Sequence, residues 1–354
     1  MPRKSERVLT MVELLTRIWQ RVLQRQSIGI DDNFFSLGGD FDAADMLFAE
    51  VAKHCGRELP SATIYHAQTI GALASLLEQP ALPRFSPFVR VKAGCERPPI
   101  LVVHGMAGTV PFFELAEHIR TGHPIYGTQA KGLDGMEAPF DCVEDMAAFY
   151  LDSLTDVQPH GPYMLVGYSF GGLVALEMAQ RLTAKGEEIA LLVLVDAYPH
   201  IRFLSPSQRV RLITRRVVFG MNRRVTRAVR GLKRRLRVAL TREADNHCPK
   251  ASPLSFAQTT AAVREKAYVA LERYRPRFYS GKIKFIKSGS DSHFPADPVA
   301  VWADLVTELE CETVPGGHLD MVTTNFEGLA AVITRFTNGA PSQEYECDRS
   351  GIIR

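Results

Sequence analysis

Residues 163–172 read Tyr-Met-Leu-Val-Gly-Tyr-Ser-Phe-Gly-Gly, and no other stretch so narrows what the chain can fold into. A buried apolar strand runs into Gly167-Tyr168-Ser169-Phe170-Gly171, and a helical pattern (Leu173, Ala175, Leu176, Met178, Ala179) leaves it. Strand, sharp turn and helix make a nucleophile elbow, which pushes a serine hydroxyl into a strained, exposed position. The glycines beside Ser169 are required because side chains there would strike the packed strand and helix. A bare G-x-S-x-G is a weak signal. The flanking strand and helix make Ser169 the candidate nucleophile.

Around this elbow the chain alternates strands and helices from residue 98 onward. Pro99–His104, Tyr163–Gly167, Ile189–Val195 and Lys282–Lys287 are apolar strand patterns. Unbroken apolar strands joined by helices indicate an α/β fold with a mostly parallel sheet covered on both faces. Residues about 200–262 interrupt the rhythm with a helical, basic insertion, and 339–354 read as a polar tail. Residues 5–80 form a separate small helical domain. There Leu14, Leu15, Ile18, Trp19, Val22 and Leu23 mark one amphipathic helix and Ala43–Cys55 a second. Thr69–Leu77 is a last short helix with Thr69 as its cap. Prolines 80, 83 and 87 suit a semi-extended linker over 81–97, leaving 98–338 as the larger domain.

The 354 residues, 46% hydrophobic and 23% charged, are ordinary for a soluble globular protein. Six cysteines lack C-x-x-C spacing and read as reduced thiols. No secretory h-region and no 18-residue apolar run appear, so a cytoplasmic protein without a transmembrane segment is expected.

A serine hydroxyl is a poor nucleophile until a base takes its proton, and the base needs an orienting acid. With the elbow architecture the chain order is Ser, acid, His. His318, in the loop Val314-Pro-Gly-Gly-His-Leu-Asp before a closing helix, fits the base. Two aspartates compete for the acid. Asp196 ends the strand Leu191–Val195, and Asp291 follows the next strand. Asp196 is favoured because a carboxylate at a strand's very end is rigidly held. The oxyanion hole needs two backbone N–H groups. Phe170, after the nucleophile, supplies one, and Met106 in the loop after the first strand is the candidate for the other. His104 is expected to brace that loop rather than act as a base. No metal or redox cofactor is needed for this chemistry.

Together, His104-Gly-Met-Ala-Gly, Gly167-Tyr-Ser-Phe-Gly-Gly, Leu194-Val-Asp196 and Pro315-Gly-Gly-His318 resemble the type I thioesterase domains that end nonribosomal peptide and polyketide assembly lines. The resemblance covers about residues 98–337. It implies an α/β-hydrolase whose insertion is a lid over the acyl channel, with the acid after the strand that follows the nucleophile helix, which supports Asp196. The N-terminal domain resembles a four-helix acyl or peptidyl carrier domain through Asp31-Asp-Asn-Phe-Phe-Ser-Leu-Gly-Gly-Asp40, Leu59-Pro and Ile64–Ile70. That family places a serine after Gly-Gly-Asp to hold a phosphopantetheine arm. Here the position is Phe41, which has no oxygen to form a phosphodiester, and Ser36 does not occupy the equivalent place. The resemblance therefore implies an unloaded, carrier-like domain and a substrate delivered on the carrier domain of a synthase in trans. A thioesterase releasing an acyl or peptidyl chain by hydrolysis or cyclisation is the expected function. A carboxylesterase on free small esters and a non-catalytic synthase-binding protein are its rivals.

Charge is unevenly spread. Residues 29–80 hold eight acids and two bases, 2 − 8 = −6, whereas Arg209–Arg242 holds thirteen Arg or Lys and no acid. Val225, Val229, Leu232 and Leu236 put an apolar stripe under that basic face. It reads as a solvated lid face or as a docking surface for acidic carriers, since opposite potentials speed encounter. An acidic membrane surface or nucleic acid is the third reading, with nucleic acid placed last because no motif and little interleaved aromatic character support it.

Overall fold

A computed structural model of the chain describes residues 4–79, 86–108, 113–214, 255–290, 294–340 and 343–344. The basic stripe from Val225 to Leu236 and Asp291 lie outside the described residues.

The N-terminal domain has three α-helices and one 3₁₀ turn: α1 (Lys4–Leu23), α2 (Phe41–Cys55), the turn Ser61–Tyr65 and α3 (Ile70–Glu78). The third of the four expected helices is thus a single tight turn. Local chemistry sets the ends. Asp40 caps α2 by accepting from the Ala43 N–H (2.9 Å), and Gly56 closes it in the left-handed region (φ 65°). Thr69 caps α3 as expected, accepting from Ala72 (3.1 Å). Leu15, Ile18, Trp19, Phe34, Leu47, Phe48, Val51 and Leu73 bury together, so each helix turns one apolar stripe inward.

The larger domain is built on a seven-stranded sheet in the order β1-β4-β3-β5-β6-β7-β8. The strands are β1 (Phe88–Lys92), β3 (Ile100–Val103), β4 (Ile125–Thr128), β5 (Tyr163–Tyr168), β6 (Ile189–Val195), β7 (Tyr279–Ser288) and β8 (Val306–Val314). A short β2 (Glu96–Arg97) lies apart from it. Pairing is parallel throughout except at the β1–β4 edge. Along β3, β5 and β6 successive side chains enter opposite cores. Leu101, Val103, Leu165, Leu192 and Leu194 face one core. Ile100, Val102, Met164, Val166, Leu191, Val193 and Val195 face the other. Period-two alternation with both faces apolar explains why these strands read as unbroken hydrophobic runs. Helices α5 (Val143–Leu154) and α6 (Phe170–Ala184) cover the first face. Helices α4 (Phe113–His118) and α8 (Phe326–Asn338) cover the second. Between them in sequence lies α7 (Phe256–Arg273), which follows the insertion.

Three features depart from the sequence reading. The 81–97 linker contains β1, the sheet's antiparallel edge, together with β2. The tail is not wholly separate, because β9 (Gln343–Glu344) pairs with β2. The reading of every cysteine as a reduced thiol is also corrected. Cys95 is disulfide-bonded, while Cys55, Cys142 and Cys311 are free. Cys95 lies beside β2, and its sequence neighbours gave no spacing signal of a bond.

Candidate active site

Ser169 sits between β5 and α6 with φ 55°, a left-handed conformation that a serine adopts only when its surroundings enforce it. Two close approaches enforce it. A Cβ on Gly171 would run into the carbonyl oxygens of Val103 and His104, and one on Gly167 would run into the backbone of Gly172. Only hydrogen fits at either place, so the turn is tight and the hydroxyl is presented at the carboxyl edge of the sheet, where ligands bind in open α/β folds.

His318 is brought to this edge by the loop between β8 and α8. Its Nε2 lies 3.0 Å from Ser169 Oγ, and its Nδ1 lies 3.2 Å from Asp196 Oδ2. Asp196 follows β6 directly and its side chain is fully buried. Its backbone N–H donates to Ile286 (2.8 Å), and Oδ1 accepts from the Ser288 N–H (2.9 Å). One carboxylate oxygen is thus committed to the backbone, and the other is left for the imidazole.

Two residues that sequence reasoning missed hold His318 in place. The Tyr168 ring stacks on the imidazole with centroids 4.8 Å apart and planes 17° apart, and its hydroxyl donates to the His318 carbonyl (2.7 Å). Phe294 packs against the ring from another side at 4.5 Å. Tyr168 was visible inside the elbow motif, but nothing in the sequence tied it to a loop 150 positions away. Phe294 carried no signal.

The loop expected to complete the oxyanion hole follows β3. Gly108 N–H donates to Gly105 (3.2 Å), which turns the chain at Met106, and Gly108 accepts from Ala130 (2.8 Å). Phe170 begins α6, so its N–H is among the four at a helix start without an intrahelical acceptor. His104 braces the loop as expected. Its Nδ1 must carry the proton, because it faces the Gly105 carbonyl (2.6 Å). Its Nε2 then accepts from the Tyr150 hydroxyl (2.6 Å).

Burial pushes the His104 imidazole down to about 4 from an ordinary 6.5. The unfolded chain therefore binds this proton more readily than the folded one. Its contribution is intact above about pH 6.5 and falls away as pH drops toward 4, by roughly 3 kcal/mol in all. Urea unfolding compared at pH 7 and pH 4.5 is expected to show this loss, and His104→Gln is expected to remove about one proton from the dependence. An unchanged pH slope in the variant would count against the assignment.

Among the described residues no cluster of His, Cys, Asp or Glu could hold a metal ion, and no helix is long and apolar enough to cross a membrane.

A strained serine, an imidazole and a buried carboxylate thus stand in one row at the edge of an α/β sheet. The family model of the thioesterase domain matches residues 98–337. The chain belongs to this thioesterase family. Its thioesterase domain has the α/β-hydrolase fold, and a second family model, the phosphopantetheine attachment site, matches residues 13–77. The chain is similar to the dimodular nonribosomal peptide synthase of Bacillus subtilis (strain 168), 38% identical over 193 residues, which is 53% of this chain and 8% of that protein. It is similar to malpibaldin synthetase of Mortierella alpina, 36% identical over 187 residues, 52% of this chain and 3% of that protein. The chain thus spans only a small part of the length of these relatives. A crystal structure of a four-domain nonribosomal peptide synthetase bound to AMP and glycine shares the fold over 94% of this chain and 26% of that one. Its TM-score is 0.57 at 22% identity.

The thioesterase domain is therefore preceded by a carrier domain whose family carries phosphopantetheine. Residue 41 does not fit that group. Phe41 is the first residue of α2 after the Asp40 cap, it offers no oxygen, and its ring stacks on Phe256 with centroids 4.4 Å apart.

Proposed function

We propose that this chain is a serine thioesterase that releases an acyl or peptidyl chain from a phosphopantetheinyl carrier supplied in trans. The observation that carries the reading is the row Ser169–His318–Asp196. Ser169 Oγ attacks the thioester carbonyl as its proton passes to His318 Nε2. The backbone N–H groups of Phe170 and Met106 receive the developing oxyanion. The C–S bond then breaks, the arm's sulfur leaves with the proton from Nε2, and an ester on Ser169 remains. Water, or a nucleophile within the acyl chain, gives a proton to Nε2 and attacks that ester. The product leaves as a free acid or a ring, and Ser169 regains its proton. Asp196 accepts from Nδ1–H throughout and stabilises the imidazolium. Phe41 supports delivery on another carrier domain, because a phenylalanine cannot carry the arm. A cytoplasmic location suits an enzyme that meets synthase carriers.

The full chain is expected to turn over an acyl group on a separate carrier with kcat/KM at least about tenfold above the same acyl group on a simple ester. Equal or faster turnover of the simple ester would favour a carboxylesterase. In parallel, incubation with a phosphopantetheinyl transferase is expected to leave the intact mass of this chain unchanged. A gain of the arm's mass would contradict delivery in trans.

A further inference from the structure

Position 41 is occupied by a ring, and that ring has a partner in the other domain. Besides the stack on Phe256 (planes 22° apart), the Asp45 carboxylate, one turn further along α2, accepts from the Phe256 N–H at 3.0 and 3.2 Å. Ser61 donates to that same carboxylate. Phe256 opens α7, so α2 supplies both an apolar contact and an acidic side chain to the positive end of this helix. A second aromatic pair lies beside the first, with Phe35 stacked on Phe113 of α4 at 4.7 Å and 6°.

Helix α7 itself is divided between the two domains. Its buried stripe is Phe256, Thr259, Val263, Ala267 and Ala270. Phe256 and Val263 lie in the cluster that joins the N-terminal core to Phe113, Ala130 and Leu133 of the larger domain. Ala267, Ala270 and the following Tyr274 belong to the core of the thioesterase domain. The far end is anchored there a second way, by Tyr274 donating to the buried Glu177 (3.1 Å) and by Lys266 and Arg273 pairing with Asp141 (3.5 and 3.3 Å). Only the first half of α7 depends on the N-terminal domain. That half touches the candidate oxyanion loop, because a Cβ built on Gly108 would meet Val263 Cγ1 and Ala130 Cβ. From Phe256 to Val263 is seven residues, ~10 Å of helix.

We propose that Phe41 converts the carrier-like domain from a cargo carrier into a fixed clamp. It seats the first half of α7 against the Gly105–Gly108 turn and so positions the oxyanion loop. Phe41 and Asp45 are positioning residues in this scheme, acting through Phe256 and Val263. The surface that would send out an arm is spent on holding the helix. The inference rests on the proposed reading that no arm leaves position 41, but its test does not require turnover.

Amide hydrogen exchange of the full chain reads the clamp directly. Phe41→Ala is expected to raise exchange across residues 257–263 and 105–108 by about tenfold or more, while residues 266–273 and the middle of α1 keep their protection. If α1 also loses protection, the variant has loosened its own domain. Asp45→Ala, which removes the acceptor of the Phe256 N–H without emptying a core, then decides by the same pattern. Unchanged exchange in 257–263 with Asp45→Ala, or a rise spread evenly over both halves of α7, would overturn the proposal. Labelling of Ser169 by a fluorophosphonate is followed in the same samples and is expected to slow severalfold when the clamp is cut. Absence of label in the unaltered chain would count against the proposed catalysis and leave the exchange result standing.

Discussion

Asp196→Asn is expected to lower kcat about 10⁴-fold with little change in KM, measured by thiol release from a small acyl thioester. The size follows from how the carboxylate is used. Ser288 N–H needs an acceptor at Oδ1, so the amide oxygen of an asparagine stays on that side. Its NH₂ group is then turned toward His318 Nδ1, where a donor now meets a donor. The imidazole relieves this by moving its proton to Nε2, and an Nε2–H cannot accept the proton of Ser169. The site keeps its shape and loses its base. With Asp196 as the acid, most activity is expected to survive Asp291→Asn. A loss of less than about tenfold at Asp196, or a larger loss at Asp291, would reverse the assignment of the acid.

Ser169→Ala is expected to bring turnover down by about 10⁵-fold or more, leaving only what oxyanion stabilisation and binding give to water. Stability separates this loss from misfolding. Alanine inherits the φ of 55° and its strain, so the unfolding midpoint of Ser169→Ala is expected to stay near that of the unaltered chain. Ser169→Gly relieves the strain and is expected to raise stability by about 1 kcal/mol while remaining inactive. A glycine variant less stable than the serine would argue that the elbow is not strained.

Much of this site was legible because its parts are local. The elbow announces itself within ten residues, since the glycines, the serine and the change from strand to helix all serve one turn. Asp196 was legible as the first polar residue after five buried apolar ones. His318 was marked by the glycines before it, and Gly316 is indeed in the left-handed region at φ 94°. The less legible parts are those whose partners are remote. β8 reads Val-Thr-Glu-Leu-Glu-Cys-Glu-Thr-Val, too polar for a core strand. It is the sheet's edge, and Glu308 and Glu310 answer Lys282 and Lys284 on β7 at 2.7 to 3.3 Å. Such cross-strand pairs are visible only once the register is known. β4 spans four residues and includes Gly127, so periodicity had nothing to act on. β1 was concealed by the prolines before it, which suggested a linker running on to residue 97. The aromatic contacts of Phe35, Phe41 and Tyr65 with the second domain were silent for the same reason. Each is an ordinary apolar residue until Phe113 and Phe256 are placed against it.

Rapid mixing of the full chain with an acyl thioester, acid quench and peptide mapping would test the covalent step most directly. The expected result is an acyl ester on the peptide containing Ser169 that forms at least as fast as product and is absent from Ser169→Ala. Steady turnover with that peptide unmodified, or an acyl group found on another residue, would contradict it.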